Sequence, residues 1–477
     1  MTGEQGSING LGSTHPPVPG QVQADGTTTP PPPLTRRRFL QTLGGTALAA
    51  GAATLVAGCG KPAASNLILD RRITVGYVAP LTGAQAAFAE ADNFTLNKVR
   101  AALEKGLVVD GGGRYGVDII VKDSQTNEDR ATQVAGDLID YDKVDMMLVM
   151  SDLVGTTLPT ANLCEQRGIP CLSTVGSWNT YVKERGHSLT PPQPFQWTYH
   201  YYWGHPDTVQ VFVDLWRPLQ TNKLVVGLWP DDAAGKEAAD PKTGYPPGLK
   251  QGGYTVVDPG RYENQNNATK PDFTKLVQAV VKADPDLLTG NPLAVDFIDI
   301  WRQLAAKKAI PPYVTMTRCA NFPRQVEAYT PTADGMSTSI TWHPSFPFKS
   351  SLTGVTAQAY ADAYTEQTAR QPTFTLGYGH SLWEVALDVL KRAGGAADRE
   401  AVVQAMRTTR LNTIVGPVDF TNPTNPHPNT ARMGLVAGQW KAGDPGEQFK
   451  FDLVVVTNRL LPQVPVRGEL TPIRISG

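Results

Sequence analysis

The chain is poor in the features that would give it an easy chemical role. It holds 4 cysteines and 7 histidines in 477 residues, and none shows the paired spacing of a metal site. There is no H-E-x-x-H, and Gly111-Gly112-Gly113 lacks the lysine and hydroxyl of a phosphate loop. Gly379-His380-Ser381-Leu382-Trp383 begins like a nucleophile elbow but ends in tryptophan, inside a helical stretch. With no activated nucleophile in view, an enzyme is not expected, and no cofactor or metal is called for. Surplus charge is missing too. The 43 lysines and arginines face 44 acids, so no broad basic field invites nucleic acid. No second long apolar run follows residue 58, so the body is not expected to enter a membrane.

What is present begins at the N-terminus. Residues 1–34 are rich in Gly, Thr and Pro and end in Thr-Thr-Thr-Pro-Pro-Pro-Pro-Leu. Such a segment cannot bury enough apolar surface to offset its ordering entropy. Residues 35–58 open with Thr35-Arg36-Arg37-Arg38-Phe39-Leu40, the form of a twin-arginine export signal. A weakly hydrophobic run rich in Ala and Gly follows, close to the length of a membrane span. It closes on Leu55-Val56-Ala57-Gly58-Cys59, which resembles a bacterial lipobox, the cysteine being lipidated and becoming the mature N-terminus. The expectation is export by the twin-arginine route and a lipid anchor at Cys59 on the outer face of the cytoplasmic membrane. An uncleaved signal anchor would tether the same domain to the same face. Residues 59–70 then serve as a tether. Cys164, Cys171 and Cys319 remain, so at most one disulfide can form among them, and small buried residues is the plainer reading.

Cleavage before Cys59 leaves roughly 420 residues, too many for one ordinary core and enough for two lobes. Short apolar runs alternate with helical patterns from residue 71 onward. Ile73–Val78, Val117–Val121, Met146–Met150 and Ile169–Leu172 read as strands, with helices over 85–103, 126–141 and 157–166. The pattern restarts after the aromatic stretch Phe195–Tyr202, with strands at 224–228, 255–257, 286–289 and 313–317. Helices are expected at 207–219, 272–282 and 294–307, and a broken one at 236–251. Gly335–Trp342 reads as a crossover, followed by helices over 355–368, 379–392 and 399–408 and antiparallel strands at 415–420, 434–440 and 451–456. Strands spaced by helices of this length give right-handed βαβ units. The fold class is α/β: two doubly wound, Rossmann-like lobes with parallel sheets, joined by several hinge crossings. Residues 71–196 and 345–410 form lobe 1; residues 197–344 and 411–477 form lobe 2. In such sheets a ligand lies in the crevice beyond the strand carboxyl ends.

Ile73–Gln85 (ITVGYVAPLTGAQ), Val121–Thr126 (VKDSQT), Leu158–Pro170 (LPTANLCEQRGIP), Leu376–Ala393 and Ile414–Phe420 (IVGPVDF) stand in a telling order and spacing. Together they resemble the periplasmic binding proteins of branched-chain amino acid transporters, of the type I periplasmic binding fold. The resemblance implies a receptor that captures a small polar solute, amino-acid-like or carboxylate-bearing, by hinge closure. It further implies delivery to an ABC permease, and a monomer whose partners are that solute, the permease and the lipid anchor. A ligand-sensing lipoprotein that signals to a membrane partner uses the same fold and stays open.

The resemblance points to the loops after the third and fourth strands. By position these carry Ser151, Asp152 and Thr156, then Val175, Gly176 and Ser177. Loops that precede helices or turns offer free N–H groups to an anion, although capping is the commonest work of Ser and Thr. Three departures bear on the ligand. Val154 precedes Gly155 where the family often has serine, and Ala234 precedes Gly235 where it often has tyrosine. Arg318 stands where many amino-acid binders place a glutamate for the ammonium. A guanidinium pairs with a carboxylate or another anion. Arg318 therefore either meets a ligand carboxylate, pairs with Asp231 or Asp232, or lies at the surface. Asp232 and Tyr202 complete the candidate set. In Trp197–Trp203 half of the rings point to one face, either packing at the lobe junction or walling a flat ligand. Hinges are expected near 195–203, 335–345 and 410–420.

Overall fold

The computed structural model describes residues 71–151, 153–265, 271–329 and 333–474. The leader, the export signal, Cys59 and the tether to residue 70 lie outside the described residues. The first lobe runs β1 (Arg71–Ala79), α1 (Asp92–Ala102), β2 (Leu107–Val108), β3 (Arg114–Asp123), α2 (Glu128–Asp140) and β4 (Met146–Met150). It continues with α3 (Leu158–Arg167), β5 (Cys171–Thr174), α4 (Trp178–Lys183) and β6 (Thr198–Tyr202). The second lobe has α5 (His205–Trp216), β7 (Leu224–Pro230), α6 (Ala233–Ala238), α7 (Tyr245–Gln251), β8 (Thr255–Val257) and β9 (Arg261–Tyr262). It goes on with α8 (Thr274–Ala283), β10 (Leu287–Gly290), α9 (Ala294–Ala306), β11 (Tyr313–Met316), α10 (Pro323–Glu327) and β12 (Ser337–Ile340). The chain then returns through α11 (Ala357–Thr368), α12 (Phe374–Arg392), α13 (Arg399–Arg407), β13 (Arg410–Thr413), β14 (Gly416–Asp419) and β15 (Thr430–Arg432). It ends in the second lobe with β16 (Val436–Ala442) and β17 (Phe451–Thr457).

The first sheet has the order β15-β6-β5-β4-β1-β3-β2 and the second β17-β16-β12-β11-β10-β7-β8. Each contains the doubly wound order 2-1-3-4-5 of parallel strands, with its switch point between β1 and β4 or between β7 and β10. The all-buried run Met146–Met150 explains why β4 is central, since a parallel strand covered on both faces reads as continuous apolar sequence. Val75, Tyr77, Leu148, Leu376 and Val389 share one core, while Val78, Val149, Ala161 and Tyr181 share the core on the opposite face. In the second lobe, Leu228, Phe297 and Met316 pack on one face, and Phe212, Trp216 and Leu249 on the other.

The lobe boundaries differ from the expectation in two places. Thr198–Tyr202 is the fifth strand of the first sheet, so the first crossing is Trp203–Gly204. The β13–β14 hairpin also stays with the first lobe, held by Glu384 of α12 through the Ile414 N–H, and β15 extends the first sheet beside β6. The third crossing therefore falls at 433–435 and not at 410–420. Gly335–Trp342, read as a crossover, contains the last parallel strand of the second sheet, and the second crossing is 341–356. A Cβ on Gly204 would sit 2.3 Å from the Trp178 indole nitrogen, so the first crossing needs glycine to pass α4. Among the described residues no helix is long and apolar enough to cross a membrane, and no cluster of three His, Cys, Asp or Glu could hold a metal.

Candidate functional site

The carboxyl ends of both sheets carry unusual backbone. Gln125 and Thr126 after β3, Val175 after β5 and Arg318 after β11 all have φ between 54° and 69°. For a β-branched residue such as Val175 this costs on the order of 1–3 kcal/mol and persists only where the surroundings enforce it. His200 supplies part of that enforcement. Its Nε2–H donates to the Gly176 carbonyl at 2.9 Å, leaving Nδ1 to pair with the Ser173 hydroxyl at 2.9 Å. Burial pushes the imidazole down to about 4, so it stays neutral and the tautomer is fixed. Gly176, at φ 106°, leaves space for Leu153, which a Cβ would approach to 2.5 Å.

The predicted residues take different parts. Ser151 follows β4 and is buried, and its hydroxyl has no partner among the described residues. Thr156 is engaged by the Ser124 hydroxyl at 2.7 Å, tying the loops after β3 and β4 together. Ser177 precedes α4 and its hydroxyl pairs with that of Thr180. Asp152 lies outside the described residues. In the second lobe, Asp232 caps α6 through the Gly235 N–H at 2.8 Å and receives Arg318 Nη1 at 2.9 Å. Arg318 also donates to the Asn291 carbonyl at 3.4 Å. Of the alternatives for Arg318, the structure shows the pair with Asp232. The side-chain amide nitrogen of Asn291 donates to the Ala234 carbonyl at 3.0 Å, while its Oδ1 is buried and has no partner among the described residues. The strand ends thus hold an unpaired hydroxyl in the first lobe and an unpaired carbonyl oxygen in the second.

Among the contacts that join the lobes, two flank this crevice, and neither was read from sequence. Glu237 of α6 accepts from the side chains of Asn179 and Thr180 of α4, with Lys183 at 3.9 Å. Burial pushes its carboxyl up to about 7, against the opposing pull of Lys183. On the other side, Phe88 after β1 meets Phe322 before α10 edge-on at 5.5 Å and Phe374 of α12 at 5.9 Å. Asn291 could have been found by position, because a polar residue directly after a parallel strand faces the crevice by the topological rule. The α4–α6 contact left no periodic signal in two six-residue helices.

The aromatic stretch divides. Tyr201 donates to or accepts from Ser381 at 2.7 Å and lies 6.2 Å from the Tyr378 ring, while Tyr199 meets Phe420 at 5.1 Å. These rings pack the junction. Tyr202 and Trp203 instead line a cavity of about 470 Å3 between the lobes, together with Thr341, Trp342, Phe374 and Trp440. Burial pushes the Tyr202 phenol up to about 12, with Thr341 and the Trp203 indole beside it. The other described candidates, Ser151 through Ser177, Asp232 and Arg318, do not line this cavity.

Two facing doubly wound lobes, three crossings and a crevice at both sets of strand ends define a two-lobed solute-binding protein of the type I periplasmic binding fold. The chain belongs to the periplasmic binding protein family, whose model matches residues 72–444. Among curated proteins no sequence relative is found. Solved structures share the fold at low identity. A leucine-binding protein, LivK, from Thermotoga maritima has 18% identity and a TM-score of 0.63, covering 81% of this chain and 99% of that one. An ABC-transporter solute-binding protein from Rhodopseudomonas palustris, solved with 3,4-dihydroxybenzoic acid, has 19% identity and a TM-score of 0.60, covering 84% and 98%. LivJ from Streptococcus pneumoniae, solved with isoleucine, has 14% identity and a TM-score of 0.59, covering 81% and 99%.

Proposed function

We propose that this protein is the extracytoplasmic solute receptor of an ABC importer. It is exported by the twin-arginine route, anchored through a lipid on Cys59, and closes on a small polar solute that it hands to a permease. The observation that carries this reading is the pair of orphaned polar atoms, Ser151 Oγ and Asn291 Oδ1, at the ends of the central strands of the two sheets. A buried donor and a buried acceptor left unpaired are costly, and a solute that presents both an acceptor and a donor relieves them together. An amino-acid-like or hydroxylated carboxylate solute has that pattern. The ligands of the similar structures, isoleucine and a dihydroxybenzoate, fall in the same size range and support it. With Arg318 held by Asp232, the solute's carboxylate is met by hydroxyl and backbone N–H donors of the first lobe.

A solute at 100 times its Kd stabilises the fold by about 2.7 kcal/mol. A thermal-shift screen of amino acids, benzoates and short amides is therefore expected to give a hit that also shrinks the scattering radius, and Ser151→Ala is expected to weaken that hit. No shift with any solute, together with an unchanged radius, overturns the reading.

A further inference from the structure

The cavity of about 470 Å3 lies at the crossing side of the crevice, where Tyr202 ends β6 and Thr341 follows β12, and it is lined by neither Ser151 nor Asn291 nor any residue at the ends of β1, β4, β5, β7 or β10. Its size is ordinary for a small-molecule site. Its walls come from both lobes and sort by depth. Tyr202, Trp342, Phe374 and Trp440 are buried and form an aromatic interior. The mouth carries Asp362 and Glu366 from α11 and Asp452 from β17, all exposed. No lysine or arginine is in the lining.

The three carboxylates have no ion pair among the described residues. Asp362 Oδ1 accepts from Gln358 at 2.8 Å and Asp452 Oδ1 from the Leu453 N–H at 2.9 Å, both neutral donors. Asp362 and Glu366 are four residues apart on one helix, a like-charge spacing that is unfavourable when nothing positive neighbours it. An arginine, Arg467, acts on His343 in the wall, as does Asp452, and Arg467 is not itself in the lining. The second observation lies inside. Thr341 is 5% exposed, and neither its hydroxyl nor the Trp203 indole N–H, both beside the Tyr202 phenol, makes a hydrogen bond of ordinary geometry among the described residues. An indole nitrogen can only donate, so an occupant that brings an acceptor to that end completes it.

We propose that this cavity is a second ligand site for an arylalkylamine, an aromatic ring carrying an alkylammonium. Its ring stacks among the tryptophans, an oxygen at its inner end meets Trp203 and Thr341, and its ammonium sits at the mouth among Asp362, Glu366 and Asp452. Aromatic faces and carboxylates favour the same cation, which gives the site its sign. Because both lobes supply wall, the occupant binds the closed form better than the open one. The site goes beyond solute capture at the strand ends and is testable apart from it.

The test is calorimetric titration of the full chain with tyramine and with 4-hydroxybenzoate, which shares the phenol and reverses the charge. Tyramine is expected to bind saturably and the anion at least about tenfold more weakly at this site. The double change Asp362→Asn with Glu366→Gln, at exposed helix positions that leave the core intact, is expected to weaken tyramine about tenfold. Thr341→Val is expected to weaken it about threefold, and Ser151→Ala to leave it unchanged. Absence of saturable tyramine binding, or binding unmoved by the double change, overturns the proposal. So does loss of tyramine in Ser151→Ala, which would put the amine in the crevice. Solute capture stands or falls separately, on the thermal screen.

Discussion

Glu237 and Glu384 are both buried acids that burial lifts to about 7, and they hold the molecule in different ways. Glu384 on α12 accepts from the Ser351 N–H, from the Ser351 hydroxyl at 2.8 Å and from the Ile414 N–H at 2.9 Å. Those partners belong to the return crossing and the β13–β14 hairpin, all on the first-lobe side. Glu237 on α6 accepts from Asn179 and Thr180, side chains of the opposite lobe. One carboxyl knits a rigid half together, and the other is released whenever the halves part. Equal electrostatic strain therefore has unequal mechanical consequences: a change at Glu384 is felt in unfolding, and a change at Glu237 in opening.

The sharpest way to break the comparison is to remove Glu384. Glu384→Ala leaves the buried Ile414 N–H and the part-buried Ser351 N–H without an acceptor and opens a void beneath the crossing. Unpaired buried donors cost about 1–3 kcal/mol each, so a loss of roughly 3–5 kcal/mol in denaturant unfolding at neutral pH is expected. A loss below about 1 kcal/mol would show that the crossing is held by its other contacts. Solute affinity per folded molecule is expected to change little, because no contact across the lobes is lost.

The sequence made most of this frame legible and left its moving parts dark. Met146–Met150 is a strand with the bounds its apolar run suggests, because a strand covered on both faces needs no longer-range information. Ser151 was named through the resemblance, by its position directly after this run, and its buried, unpaired hydroxyl was not foreseen. The third crossing was not legible. Val415–Phe420 is apolar enough to belong to either lobe, and only the reach of Glu384 to Ile414 decides the matter. Arg318 was legible as a charge needing an anion, while its choice of Asp232 depends on a left-handed turn at 318 that no residue type announces. Glu237 offered one acid in a broken helix, and what makes it special is a helix 57 positions away in sequence.

The aromatic contact sharpens the comparison from the other side of the crevice. Phe88 is half-buried, and its ring touches Phe322 of the second lobe edge-on, so the contact exists only while the lobes are together. Phe88→Ala is expected to cost the closed form about 1–2 kcal/mol, weakening solute affinity roughly 5- to 30-fold. The unfolding free energy without solute is expected to move less than it does in Glu384→Ala. Equal affinity in Phe88→Ala would mean that the other contacts between the lobes set the closed state.

The smallest expected effect is also the one that separates the two glutamates, and it is a pH dependence. In both residues the folded pKa is raised from 4.5 to about 7, so the folded chain holds more protons than the unfolded chain across that window. The share of stability that these two carboxyls contribute is therefore greatest at the acid end, falls as pH rises from about 4.5 to about 7, and levels off above it. Opening hydrates Glu237 and returns it toward its ordinary value, while Glu384 keeps its partners. The groups acting on Glu237 besides Asn179 are Lys183, which favours its charge, and Glu184 and Asp240, which oppose it. Closure then takes up a proton at Glu237 alone, and solute affinity is expected to drop severalfold between pH 5.5 and 7.5. Glu237→Gln keeps an acceptor for the α4 side chains and cannot ionise, so it is expected to flatten the affinity profile while the Glu384 share of the stability profile remains. Affinity measured by titration at four or five pH values decides the point: a slope that survives in Glu237→Gln would place the proton elsewhere than on the carboxyl that spans the lobes.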